Sequence, residues 1–234
     1  MEADMYVTVD QDAATLAAER ATFGALAESV RQLVDATIRT TVDLEEADAV
    51  RTEVDALVAR LRATQVPGSY GVNITPDGTF RNHGNAVVGV RNAIAPPLQV
   101  ERDPSGRAWA SFFLGAAYEG PPGLVHGGVT ALLLDQIAGE AAAAGGSPGM
   151  TGGLSLRYRR PTPLGELSAE AWIDRVEGVK TYVHGELRDA DGQATVTCEG
   201  IFILPRWARE QLAEQGPEDG PTPMTRRSVP PSFE

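Results

Sequence analysis

A chain of 234 residues, 42% hydrophobic and 22% charged, is long enough to bury a core without cross-links or a structural metal. One cysteine, Cys198, excludes an intramolecular disulfide, and three histidines with one thiol cannot supply a clustered zinc site, so no metal or other cofactor is expected. A formal charge of −12 speaks against nucleic acid or an anionic membrane surface as partner. No apolar run approaches the roughly 20 residues of a bilayer span, and the N-terminus MEADMYVTVDQD is acidic where a secretion signal is basic, so a cytoplasmic protein without membrane insertion is expected.

From Asp12 to about Ala63 the chain has no proline and one glycine. Leu26, Val30, Leu33, Val34 and Ile38 recur at three- and four-residue steps, and so do Val50, Val54, Leu57, Val58 and Leu61. With Thr40, Thr41 and Asp43 between them, these predict two helices joined near Asp43. They form an accessory hairpin, residues 1–66, that packs on the main domain or on a partner chain. Beyond Pro67 the texture changes to glycine, asparagine and proline with short apolar runs, and the main domain is placed at 67–205.

Strands are predicted at 107–118, 153–160, 167–176, 181–188 and 194–204, with hairpin turns at Glu177-Gly178 and Asp191-Gly192. One helix interrupts them. GGVTALLLDQIAGEAAAA, from Gly127 to about Ala144, is apolar nearly all round, as in a helix enclosed by other structure. A buried helix followed by an antiparallel meander implies an α+β layer with the sheet wrapped on that helix. Residues 206–215 read as a short helix, and the remaining tail is too rich in proline, glycine and charge to pack.

The segment GPPGLVHGGVTALLLD, Gly120 to Asp135, combines residues that suit acyl chemistry. His126, Gly127 and Gly128 open the helix, where free N–H groups and the helix dipole favour a developing oxyanion; the alternative is that His126 caps the helix and the glycines allow close packing. Asp135 sits in the oily run LLLDQIAG, where an unpartnered carboxylate is costly and so marks either a task or a salt bridge. Seven residues of helix return Asp135 to the azimuth of Gly128 but roughly 10 Å along the axis, too far for both to reach one carbonyl within a chain. Ala131, Ala138, Gly139 and Ala142 share that face, which suggests two copies of the helix pairing antiparallel about a two-fold axis. Asp135 of one chain then acts at Gly127 and Gly128 of the other, as general base or as nucleophile. Glu140 lies on another azimuth and reads as structural. Thr151 begins a strand carrying Arg157, Arg159 and Arg160 with no acid between Glu140 and Glu166; this cationic strand suits substrate phosphates, or else acids elsewhere on the surface.

The stretch YEGPPGLVHGGVTALLLDQIAGEAA, followed by MTGGLSLRYRRPTPLGELSAEAWIDRVEGVK and the strands after it, resembles the hotdog-fold thioesterases, in the branch of the phenylacetate-pathway and mammalian thioesterase-superfamily enzymes. The resemblance covers roughly residues 82–205. It rests on the HGG turn with an aspartate nine residues after the histidine, the RRP strand end and the VEG hairpin. It implies hydrolysis of acyl-CoA thioesters, with oxyanion donors at Gly127 and Gly128, His126 orienting, Asp135 as base or nucleophile, and Thr151 assisting the water. It also implies a homodimer that can pair again into a tetramer. Asn82, His83 and Asn85 receive no role from it, and the N-terminal helices lie outside the family core. Two other classes stay open: a hotdog hydratase or dehydratase using His126 and Asp135, and a non-catalytic acyl-CoA sensor.

Overall fold

The computed structural model describes residues 6–8, 12–74, 80–96 and 98–205; the helix and tail expected at 206–234 lie outside them. Two short strands and two helices come first: β1 (Tyr6–Thr8), α1 (Ala13–Arg39), α2 (Leu44–Arg62) and β2 (Val72–Ile74). The Asp12 carboxylate caps α1 by accepting from the Thr15 N–H at 2.9 Å, and Asp43 does the same for α2 through Glu46 at 2.9 Å. Thr40 and Asp43 are extended, with ψ of 150° and 175°, which is why the helices separate where the sequence interrupts its periodicity.

The two helices have different surroundings. Ala27 of α1 is buried, the Arg91 guanidinium lies 3.4 Å over the Phe23 ring, and Arg31 Nη1 donates to the Asn92 carbonyl at 3.3 Å. So α1 docks on the segment that precedes the main sheet. By contrast, α2 buries no residue and is not packed along α1. Among the described residues, no helix is long and apolar enough to cross a membrane.

The remaining elements are β3 (Phe80–Arg81), β4 (Glu101–Asp103), β5 (Arg107–Leu114), α3 (Gly127–Ala144), β6 (Met150–Tyr158), β7 (Gly165–Glu177), β8 (Lys180–Arg188) and β9 (Ala194–Ile203). The sheet of six runs β4-β5-β7-β8-β9-β6, antiparallel throughout. Gly178 and Gly192, with φ of 60° and 76°, turn the two hairpins. This sheet wraps on α3, the hotdog arrangement that the sequence implies. Leu133, Leu134 and Ile137 are fully buried against it, each adding roughly 1.5–3 kcal/mol of apolar burial. Alternation sends Val196, Cys198 and Phe202 of β9 into the same core.

Two expectations are revised, and one small sheet is added. The segment Ala116–Tyr118, read as strand, is a 3-10 turn that carries the chain from the end of β5 towards α3. A small sheet, β1-β2-β3, ties the start of the chain to the segment after α2; no period marked it. The small residues of α3 do not wait for a second helix. Ala138 and Ala142 are 0% exposed within this chain, and a Cβ on Gly139 would stand 3.3 Å from the Phe202 ring. The curl of β9 brings its aromatic under that face.

Candidate active site

The entrance of α3 is built by a tight turn. Leu124 N–H donates to the Pro121 carbonyl at 2.9 Å, and Gly123 takes φ of 74°, the positive value that a Pro-Pro-Gly turn places on its glycine. The arms then pair, Gly120 N–H to Leu124 O and His126 N–H to Tyr118 O, each at 2.9 Å. Gly120 is needed for this approach: a Cβ there would stand 2.8 Å from the His126 Cα.

His126 is the N-cap of α3, its Nδ1 accepting from the Gly128 N–H at 3.0 Å. An accepting Nδ1 carries no proton, so the neutral ring holds its proton on Nε2, facing outward as a donor. Among the described residues nothing in the chain accepts from the Gly127 N–H. The two donors open to an incoming oxygen are therefore the Gly127 amide and His126 Nε2, and the Gly128 amide fixes the ring. Sequence reasoning gave the two glycines one role; among the described residues the Gly128 amide is engaged by His126 and the Gly127 amide is not.

Eight residues on, Asp135 is half-buried, and its Oδ1 accepts from the Thr151 hydroxyl at 2.9 Å. The second carboxylate oxygen has no partner within the chain among the described residues. Thr151 is at the start of β6. At the other end of that strand the Tyr158 hydroxyl donates to the Gly127 carbonyl at 2.9 Å. Thus α3 runs antiparallel beside β6, with Gly127 at the Tyr158 end and Asp135 at the Thr151 end. The rise of about 1.5 Å per residue keeps them roughly 12 Å apart.

The other flank of α3 faces β4. There Arg102 pairs with Glu140 at 2.7 Å, Gln136 Nε2 donates to Glu140 at 2.9 Å, and Asn85 Nδ2 donates to Gln136 at 3.2 Å. Asn85 Oδ1 meanwhile accepts from the amides of Val87 and Val88, so this chain of bonds sets the segment over α3 and leaves Asp135 outside it. His83 is buried, its ring edge-on to Tyr70 at 5.2 Å between centroids.

A groove of about 420 Å³ opens at the α3 entrance, lined by Leu124, Gly127, Thr130, Tyr158, Arg159 and Arg160, among others. Arg157 is elsewhere. With Ser155 and Arg159 it lines a depression on the sheet face opposite α3, beside Trp172 and His184. Strand alternation requires this, because Leu154 and Leu156 turn inward. None of the three arginines has an acidic partner within the chain among the described residues. Also among those residues, no group of three His, Cys, Asp or Glu could hold a metal ion.

The hydroxyls of Tyr158 and Thr130 meet the Gly127 carbonyl, contacts that sequence reasoning missed. A tyrosine in a strand and a threonine in a buried helix are ordinary there; only the spatial closeness of β6 to α3 gives them meaning.

Comparison with known proteins gives the family. The family model of the thioesterase superfamily matches residues 122–196, from the turn ahead of α3 into β9. Acyl-coenzyme A thioesterase THEM4 of Xenopus laevis is 33% identical over 91 residues, 38% of this chain and 41% of its own. Acyl-coenzyme A thioesterase THEM5 of Homo sapiens is 28% identical over 106 residues, 44% of this chain and 41% of its own. The chain thus spans about two-fifths of the length of these curated relatives. A crystal structure of a thioesterase superfamily protein is 36% identical, with a TM-score of 0.70, covering 77% of this chain and 90% of that one. Since that likeness extends across most of both chains, and the family match falls on the turn, helix and strands that assemble the site, the chain belongs to the thioesterase superfamily.

Proposed function

We propose that this chain hydrolyses acyl-CoA thioesters to the free acid and CoA at a site shared by two copies of itself. The observation that carries this is the placement of Gly127 and Asp135 at opposite ends of β6. That strand is an edge of the sheet, its outer side unpaired among the described residues, and such an edge is a template for a second strand. A two-fold axis through the middle of β6, near Leu154, sets Tyr158 of one strand across from Thr151 of its partner. Gly127 of one chain then faces Asp135 of the other. The interface is strand to strand, which replaces the helix pairing suggested by the small residues of α3.

In this site the Gly127 N–H and His126 Nε2–H polarise the thioester carbonyl. Asp135, held through one oxygen by Thr151, takes a proton from water with the other. The water oxygen bonds to the carbonyl carbon, the carbon–sulfur bond breaks, and the proton passes from Asp135 to the departing thiolate. Arg159 and Arg160, in the groove beside Gly127, suit the phosphates of CoA. Dimers formed along β6 leave their outer surfaces free to pair again into tetramers.

The test is release of CoA thiol from a panel of aliphatic and aromatic acyl-CoAs, followed with a thiol-reactive dye. The protein's own thiol does not interfere: burial, with the nearby Asp135 charge, pushes Cys198 up to about 11, so it stays protonated and inert at neutral pH. Thiol release supports hydrolysis. Ligand binding without release across the panel indicates a sensor, and conversion of an enoyl-CoA without release indicates a hydratase; either contradicts the proposal. Thr151→Val is expected to lower kcat about ten- to hundredfold with little change in KM, because one hydrogen bond to a charged group contributes about 1.5–3 kcal/mol. Steady-state kinetics of the variant check this.

A further inference from the structure

The Gly127 carbonyl and the Gly128 N–H are the two ends of one planar peptide group. Its carbonyl oxygen accepts from the Tyr158 hydroxyl at 2.9 Å and from the Thr130 hydroxyl at 2.7 Å. Its N–H donates to His126 Nδ1 at 3.0 Å. A line of hydrogen bonds therefore runs from β6 through this peptide into the imidazole and ends at Nε2–H. The bond from Thr130, three residues along the same helix and buried, is a common local one. The bond from Tyr158 is not local. It comes from another element, on a side chain that is 58% exposed and so has water as an alternative partner, yet its hydroxyl is on the helix entrance.

We propose that Tyr158 is a positioning residue for His126, acting through the 127–128 peptide, with Thr130 in support. Donors at the carbonyl draw electron density from the amide, so its N–H becomes a stronger donor and the whole line polarises in one direction. A stronger bond into Nδ1 holds the ring in its plane and keeps the proton on Nε2, where a thioester carbonyl meets it. Tyr158 touches no reacting atom. This role rests on the hydrolytic reading given above, and two kinds of measurement separate the two.

The experiment is Tyr158→Phe in the full chain, with Thr130→Val as an independent second variant. Phenylalanine keeps the ring over Gly127 and removes only the donor. The Gly128 amide proton and the Gly127 carbonyl carbon are expected to move upfield, with a change at the His126 ring nitrogens. For acyl-CoA hydrolysis, kcat should fall about three- to tenfold with KM within about twofold. Thr130→Val should move the same resonances in the same direction. Unmoved resonances overturn the proposal, since a tyrosine that merely packs gives that result; moved resonances with unchanged kcat also overturn it. If the native protein releases no thiol from any acyl-CoA, the hydrolytic reading fails by itself. The resonances then decide alone whether Tyr158 sets the imidazole.

Discussion

Asp135→Asn is expected to lower kcat for acyl-CoA hydrolysis about 10²- to 10⁴-fold, the range typical of a general base. The substitution is nearly isosteric and removes one function. An asparagine Oδ1 still accepts from the Thr151 hydroxyl, which now reaches Asp135 at 2.9 Å, so the side chain keeps its place; what is lost is the second oxygen, replaced by an amide that cannot take a proton. The position is half-buried and the carboxylate has no cationic partner among the described residues, so no ion pair is broken. Stability should change by no more than about 1 kcal/mol. In the proposed mechanism Asp135 acts on water and not on CoA, so KM should move little. Kinetics with a thermal melt check all three points, and unchanged kcat would remove Asp135 from the reaction.

The second large effect is expected at the helix entrance. A Cβ on Gly128 would stand 3.2 Å from His126 Nδ1 and 3.3 Å from its Cε1, already tight. The branched side chain of Gly128→Val drives further into the ring. The imidazole must leave its cap position, which loses the Nδ1 bond to the Gly128 amide and moves Nε2–H from its place at the helix entrance. Loss of the cap costs about 1 kcal/mol of stability. Loss of an oxyanion donor lowers kcat about 10²- to 10³-fold. A cut in rate of that size alongside a melting temperature only a few degrees lower identifies the entrance as chemical machinery. A large fall in stability with a small fall in rate would make it structural.

Much of this was legible in the sequence because it is local. An apolar helix opened by HGG reads out from Gly127 to about Ala144, and the structure has it at Gly127–Ala144. Gly178 and Gly192 mark their hairpins, and Asp43 marks the break between α1 and α2. What the sequence hid depends on contacts between distant segments. Phe202 closes the small-residue face of α3 at Gly139 from 63 positions away, so alanines that resemble a helix-pairing surface are core. The bond from Tyr158 to Gly127 and the line from Asn85 through Gln136 and Glu140 to Arg102 have no periodic signature. Arg157, Arg159 and Arg160 look like one patch in a row, yet they divide between two surfaces: Arg157 lines the depression on the far sheet face, Arg160 lines the groove, and Arg159, just past the end of β6, lines both. Only Arg159 and Arg160 reach the groove.

The central claim is that the acid of one chain works at the helix entrance of another, and mixing two inactive chains tests it directly. Asp135→Asn and Gly128→Val are purified separately, unfolded together at equal concentration and refolded. In a hybrid dimer with shared sites, one site carries both changes and the other carries neither. Random pairing makes half the dimers hybrid with one intact site of two, so the mixture should regain about a quarter of the native activity. A mixture no more active than its two components would place Asp135 and the Gly127 entrance at work within a single chain and contradict the account.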